Sequence, residues 1–302
     1  MNLNDLNARY ALPGQLVFRQ DSGGLIFAEI DNPLGIATLC LQGAHVTTWR
    51  PRDLTEPVVW VSEAAKYAPG KSIRGGVPIC WPWFGPHRSE AGFPGHGFAR
   101  TVPWVVTRTA ALPGGETEIT LMLIENEQAR TQWPHRTRAE LVVVVGASLK
   151  VTLATTNNGD TPVEIGEALH TYFRIGDIAD IAITGLDGCT FVDKVDGSAR
   201  KTQAGAVTCT GEVDRVYVNT EAACAIEDRR LGRRIVVAKS GSHSTVLWTP
   251  WSVKAEKMGD FGAPDGWRRT VCVESANALD NVVTVASGET HRMAVEYHAE
   301  AL

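Results

Sequence analysis

The sequence predicts an all-β protein, a large antiparallel β-sandwich or barrel, and three observations predict it. Short segments rich in Val, Ile, Leu and Thr recur along the chain, many alternating apolar and polar residues. Glycine, Asn-Gly and Asp-containing turn signals separate them at short intervals. No segment sustains the 3.6-residue apolar period of a long helix.

Taken in order, residues 15–19 and 25–30 read as strands about the turn Asp21-Ser-Gly-Gly24, after a short polar start. Residues 36–49 continue the pattern and bend at Gly43, and residues 63–67 read as a single helical turn. In residues 71–87, prolines at 78, 82 and 86 forbid a continuous helix and remove ladder donors, so the run is expected to be a winding, partly buried loop. Strands resume at 104–108, 118–125 and 138–145, with a helical turn at 126–130 ending before Pro134. Residues 149–158 alternate and then turn at Asn158-Gly-Asp160. Beyond the segment 163–174, strands are expected at 181–184, 190–193, 234–238, 245–248, 270–274, 282–286 and 293–297. No linker, repeat or charge block interrupts the series, so residues 1–302 are read as one domain.

Composition narrows the function. The chain has 302 residues, 44% hydrophobic and 21% charged, enough apolar content for a sizeable core. A net charge of −5 and a pI near 5.9 argue against nucleic acid or anionic membrane as the main partner. No apolar run approaches the ~20 residues of a membrane span. The first residues lack a basic and then apolar leader, and the six cysteines form no CxxC pair. A cytoplasmic protein with reduced thiols is expected.

Two stretches carry candidate chemistry. Residues 71–87 place Arg74 before a glycine pair, and residues 94–100 end a second glycine-punctuated segment in Arg100. The two arginines are read as walls of one pocket, with glycines that let a ligand approach the backbone. A guanidinium grips phosphate or carboxylate with paired hydrogen bonds, but each arginine could equally pin a loop through carbonyl oxygens. His170 and Glu274 lie at or near the ends of apolar strands, and alternation gives Cys272 and Glu274 one strand face. They read as an acid–base pair, or as a core histidine and a satisfied strand-end carboxylate. Trp81, Trp83, Trp248 and Trp251 could stack on a sugar or simply pack. The chain lacks a phosphate loop, a GxSxG elbow, a GxGxxG turn and HExxH or tight Cys/His spacing, so neither a metal nor a dinucleotide is expected.

Seven motifs occur in order: Ile73-Arg-Gly-Gly-Val-Pro78, Pro82-Trp-Phe-Gly85, His96-Gly-Phe-Ala-Arg100, Ala168-Leu-His-Thr-Tyr-Phe173, Val213-Asp-Arg-Val-Tyr217, Leu247-Trp-Thr-Pro-Trp251 and Val273-Glu-Ser-Ala-Asn277. From about Trp60 to the C-terminus the set resembles the hexose-6-phosphate mutarotases (glucose-6-phosphate 1-epimerases) of the aldose 1-epimerase superfamily. The resemblance implies a galactose mutarotase-like β-sandwich with a cleft on one face, no metal and no organic cofactor. It makes His170 and Glu274 the catalytic residues, with Arg74 and Arg100 lining the substrate site and one or both holding phosphate. Asp214 then contacts sugar hydroxyls and His96 lies beside the site. Two departures stand out: Gly95 occupies a position where relatives often carry glutamine, and Ser275 one where they often carry proline or threonine.

The implied partner is a hexose 6-phosphate and the expected state a monomer. Glu274 is expected as an ionised base and His170 as a protonated acid, each favoured by its neighbour. Two rival readings stay open: an aldose 1-epimerase acting on unphosphorylated sugars, and a sugar-phosphate-binding protein without turnover.

Overall fold

A computed structural model describes residues 2–262 and 264–302. Two eight-stranded antiparallel sheets dominate it. The back sheet runs Ile181–Thr184, Cys224–Asp228, Arg233–Ser240, Thr290–Ala301, Ser148–Asn157, Thr137–Val145, Thr117–Leu123, Trp104–Ala111. The front sheet runs Ala199–Thr202, Thr190–Asp193, Val213–Tyr217, Ser244–Thr249, Thr270–Asn277, Glu167–Leu169, Ile79–Cys80, and Tyr172–Arg174 also pairs with Thr270–Asn277. A four-stranded sheet spans residues 16–51, and Val163–Ile165 pairs with Val283–Val285 as a small ribbon.

The back sheet keeps the alternation that predicted it. In Thr137–Val145, Ala139, Leu141, Val143 and Val145 are buried, while Val142 and Val144 are half-buried. Burying each large aliphatic side chain contributes roughly 1.5–3 kcal/mol. The front sheet differs: every residue of Ser244–Thr249 and Thr270–Asn277 is buried. One face of these strands packs on the sandwich interior and the other is covered by loops, so neither meets solvent freely.

Polar bonds join the sheets beneath that covered face. Thr171 Oγ1 lies 2.6 Å from the Tyr297 hydroxyl, Trp81 Nε1 donates to Thr155 Oγ1 at 3.0 Å, and Glu167 Oε1 lies 2.8 Å from His291 Nε2. Each satisfies a buried polar group that would otherwise be costly to desolvate.

Several local expectations change. The polar start contains α1, Leu3–Tyr10, whose N-cap Asn2 accepts from the Asp5 amide and whose Leu6 and Tyr10, one turn apart, are buried. Trp251–Met258 is a second unforeseen helix, α3, which buries only Ala255 and so carries almost no apolar period; it ends on left-handed Gly259. Residues 63–67 form no helical turn: Ser62 accepts from the Ala64 and Ala65 amides and the chain merely turns. The turn at 126–130 is helical, as α2, Glu127–Gln132, capped by Asn126. The loop 71–87 contains the two-residue strand Ile79–Cys80, and the segment 163–174 divides into three short strands. No helix among the described residues is long and apolar enough to cross a membrane.

Candidate active site

Four neighbouring front-sheet strands build the floor of a cavity of about 560 Å³, a size suited to a small ligand. Their register places Asp214 opposite Trp248, Trp248 opposite Cys272, and Cys272 opposite Tyr172. The next rung is Val216, Val246, Glu274 and, continuing the same count, His170. Pleating points alternate residues to one face, so Asp214, Trp248, Glu274, His170 and Tyr172 all line the cavity. His170 and Glu274, remote in the chain, are cross-strand neighbours.

The histidine sits where its strand leaves the ladder. Thr171 N bonds back to Leu169 O, and the His170 amide instead donates to Pro78 O at 2.9 Å. Proline 78 thus lets the loop over the sheet accept a bond the strand gives up. His170 Nε2 lies 3.3 Å from Glu274 Oε1. Glu274 is 1% exposed, and neither its Oε2 nor His170 Nδ1 has a hydrogen-bond partner among the described residues. The Tyr172 ring stacks on the imidazole, and Trp248 and His96 meet it edge-on.

Electrostatics corrects the expected charge state. Burial pushes the His170 imidazole well below its ordinary pKa, and the neighbouring His96, Arg100 and Arg74 add to that. Burial pushes Glu274 well above the carboxylate range, as does Asp214, while Arg100 opposes the rise. Desolvation outweighs mutual attraction, so the pair favours a neutral imidazole beside a neutral carboxyl rather than an ion pair. Asp214 is also raised, first by burial, with Lys254 and Lys194 pulling the other way. Burial and the Arg100 charge lower His96 to about 4.

Arg74 and Arg100 do line the same cavity, but they are held differently. Arg74 donates from Nε to Asp260 at 3.0 Å and from Nη1 to the Tyr172 hydroxyl at 2.7 Å, with its guanidinium over the Phe261 ring. Arg100 gives one bond, from Nη2 to Gly95 O at 2.9 Å, and no other protein partner among the described residues. The adjoining glycines serve a purpose other than the one expected. A Cβ on Gly76, at φ 72°, would run into the His45 ring and Val46 O, and one on Gly97, at φ 69°, into Trp81 O. They admit neighbouring protein backbone and side chain, not a ligand.

All six predicted residues, Arg74, His96, Arg100, His170, Asp214 and Glu274, border one cavity. Trp248 is also there, whereas Trp81 and Trp83 are core. Sequence reasoning missed Tyr172, Lys194, Lys254 and Asp260. Tyr172 was within reach, since two residues after His170 means the same strand face; Asp260, just beyond α3, carried no such signal.

Residues 28–298 match the family model described as aldose 1-epimerase. This chain belongs to the aldose 1-epimerase family. An Escherichia coli K12 protein is 37% identical over 83% of each chain and bears the name "Putative glucose-6-phosphate 1-epimerase". A Salmonella typhimurium crystal structure described as a "putative mutarotase" superposes with a TM-score of 0.90 at 33% identity, covering 99% of both chains. A galactose mutarotase related enzyme from Lactobacillus acidophilus, only 12% identical, shares the fold with a TM-score of 0.73 over 91% of this chain and 97% of that one. The aldose 1-epimerase family member described here therefore has the galactose mutarotase-like β-sandwich fold.

Proposed function

We propose that this protein interconverts the α and β anomers of an aldohexose 6-phosphate, with glucose 6-phosphate the substrate that fits best. The observation that carries the reading is the His170–Glu274 contact of 3.3 Å on a cavity floor, with the Arg100 guanidinium beside it. The relative's name, a glucose-6-phosphate 1-epimerase, supports the same substrate.

Mutarotation needs a proton taken from the C1 hydroxyl and one given to the ring oxygen. The C1–O5 bond opens to the aldehyde, rotation about C1–C2 presents the other carbonyl face, and reclosure reverses both transfers. In this reading Glu274 is the base at the C1 hydroxyl and His170 the acid at O5. The neutral pair holds the one proton this requires. Passing it from carboxyl to imidazole gives the carboxylate and imidazolium, with no proton gained or lost. Sugar hydroxyls that hydrogen-bond the charged forms favour that transfer once substrate replaces the direct contact. Each proton-transferring group typically contributes ~10²–10⁴-fold.

Asp214, across the floor at the Trp248 rung, orients hydroxyls. Arg100, with donors not taken up by protein, holds the phosphate and through it the ring. Arg74 acts at one remove, through Tyr172. Exchange rates for glucose 6-phosphate and glucose, compared in one NMR experiment, test the reading. Faster catalysed exchange for the phosphate ester is expected, and equal or reversed rates would remove the phosphate from the proposal.

A further inference from the structure

The same floor holds a third reactive group that mutarotation does not use. Cys272 lies two residues before Glu274 on one strand face and directly opposite Tyr172, and it is fully buried. The ligating atoms of His170, Cys272 and Glu274 all lie within 4.8 Å of one another, the one such group of three found among the described residues.

We propose that His170, Cys272 and Glu274 form a binding site for a thiophilic divalent cation, Zn2+ or Cd2+, and that its occupation silences the site. The chemistry of the set is borderline-soft: one imidazole, one thiolate and one carboxylate, three donors that together suit these ions and leave a fourth position open. Bond lengths of about 2.0–2.3 Å place tetrahedral ligand atoms roughly 3.5 Å apart. The imidazole–carboxylate pair already stands at 3.3 Å, so the thiol alone has to approach. A second feature points the same way: the buried Glu274 carboxyl keeps an oxygen without any protein partner. The ion enters by the cavity that His170 and Glu274 line. Binding displaces the thiol and carboxyl protons to water, with no change of oxidation state.

A metal at His170 and Glu274 occupies both groups at once, so reversible inhibition is the functional consequence. The binding proposal itself rests on the cluster and not on the identity of the sugar, and its readout is spectroscopic. The metal-free protein is titrated with Cd2+ while the ultraviolet thiolate-to-cadmium charge-transfer band is followed. One equivalent is expected to raise the band, and a chelator to abolish it. Cys272→Ser and, as a second probe of a site that must still fold, Glu274→Gln are titrated alongside. Cys272→Ser is expected to lose the band. Glu274→Gln is expected to keep it with affinity lowered by more than about tenfold, the lower end of what even outer-shell changes cost. Absence of the band in the unaltered protein, or a band of equal affinity in Cys272→Ser, would overturn the site. A wild-type band with undiminished anomer exchange at one bound equivalent would overturn its silencing effect.

Discussion

The phenol ring of Tyr172 lies parallel to the imidazole of His170, centroids 5.0 Å apart and planes 11° apart, and its hydroxyl accepts a hydrogen bond from Arg74. Arg74 therefore reaches the His170–Glu274 pair through the tyrosine, and its other bond, to Asp260, fixes it in turn. Arg74→Ala is expected to lower kcat on glucose and glucose 6-phosphate alike, by up to ~10²-fold, the scale of a small misplacement of a reacting group. Steady-state rates on both sugars check this. A loss confined to the phosphate ester would return Arg74 to direct phosphate binding.

Arg100 is predicted to behave in the opposite way. Its guanidinium gives the protein one bond, to Gly95 O, and a charge-assisted bond to phosphate contributes about 1.5–3 kcal/mol. Arg100→Ala should raise KM for glucose 6-phosphate by roughly 10–100-fold and leave that for glucose nearly unchanged. Parallel KM measurements on the two sugars decide between them, and an equal rise for both would contradict a phosphate role.

Buried histidines predict the response of stability to acid. Burial lowers His45 to about 4, and its Nε2 sits 2.8 Å from Gly75 O; His96 is likewise near 4 and His170 is also lowered. A folded pKa below the unfolded value of about 6.5 means the native state refuses protons the unfolded chain accepts. Their contribution is thus complete above about pH 6.5 and falls as pH drops from there toward about 4. For His45 alone the loss is roughly 3 kcal/mol. Glu274, shifted upward, acts in the opposite direction: its burden on the fold grows as pH rises above about 4.3. Asp214, also raised, acts with Glu274, and three groups against two predict lower denaturation midpoints at pH 5 than at pH 7, with a shallower pH dependence in His45→Gln.

The glycines beside the arginines give a prediction about the scaffold. Gly76→Ala pushes a methyl into the His45 ring and Val46 O at a left-handed backbone position, which should cost roughly 2–4 kcal/mol. Chemical denaturation measures it, and an unchanged midpoint would show that the loop shifts freely. At Gly95, by contrast, the nearest atom to an added Cβ is Gly85 O at 3.9 Å. Gly95→Gln should leave stability within about 0.5 kcal/mol.

The sheets were legible because alternation survives wherever one strand face meets water, as in Thr137–Val145. Register was not, because Thr270–Asn277 is buried on both faces and its composition does not say which residue stands opposite which. That is why His170 and Glu274 were paired by residue type and by resemblance rather than by register, and why Tyr172, opposite Cys272 on the neighbouring strand, was given no role. The short helices escaped for a related reason. Only Leu6 and Tyr10 in α1, and Ala255 in α3, are buried, too few to register as a period. The protonation of the pair was misjudged because a residue list shows neighbours but not the depth at which they lie.

The most direct measurement is magnetisation-transfer NMR of glucose 6-phosphate at anomeric equilibrium, with the unaltered protein, Glu274→Gln and His170→Asn at equal concentration. Transfer between the two anomeric signals is predicted to be rapid with the first and slowed by ~10²–10⁴-fold with each variant. Undiminished transfer in either variant would contradict the assignment of that residue, and no transfer above the protein-free rate in the unaltered chain would contradict the activity itself.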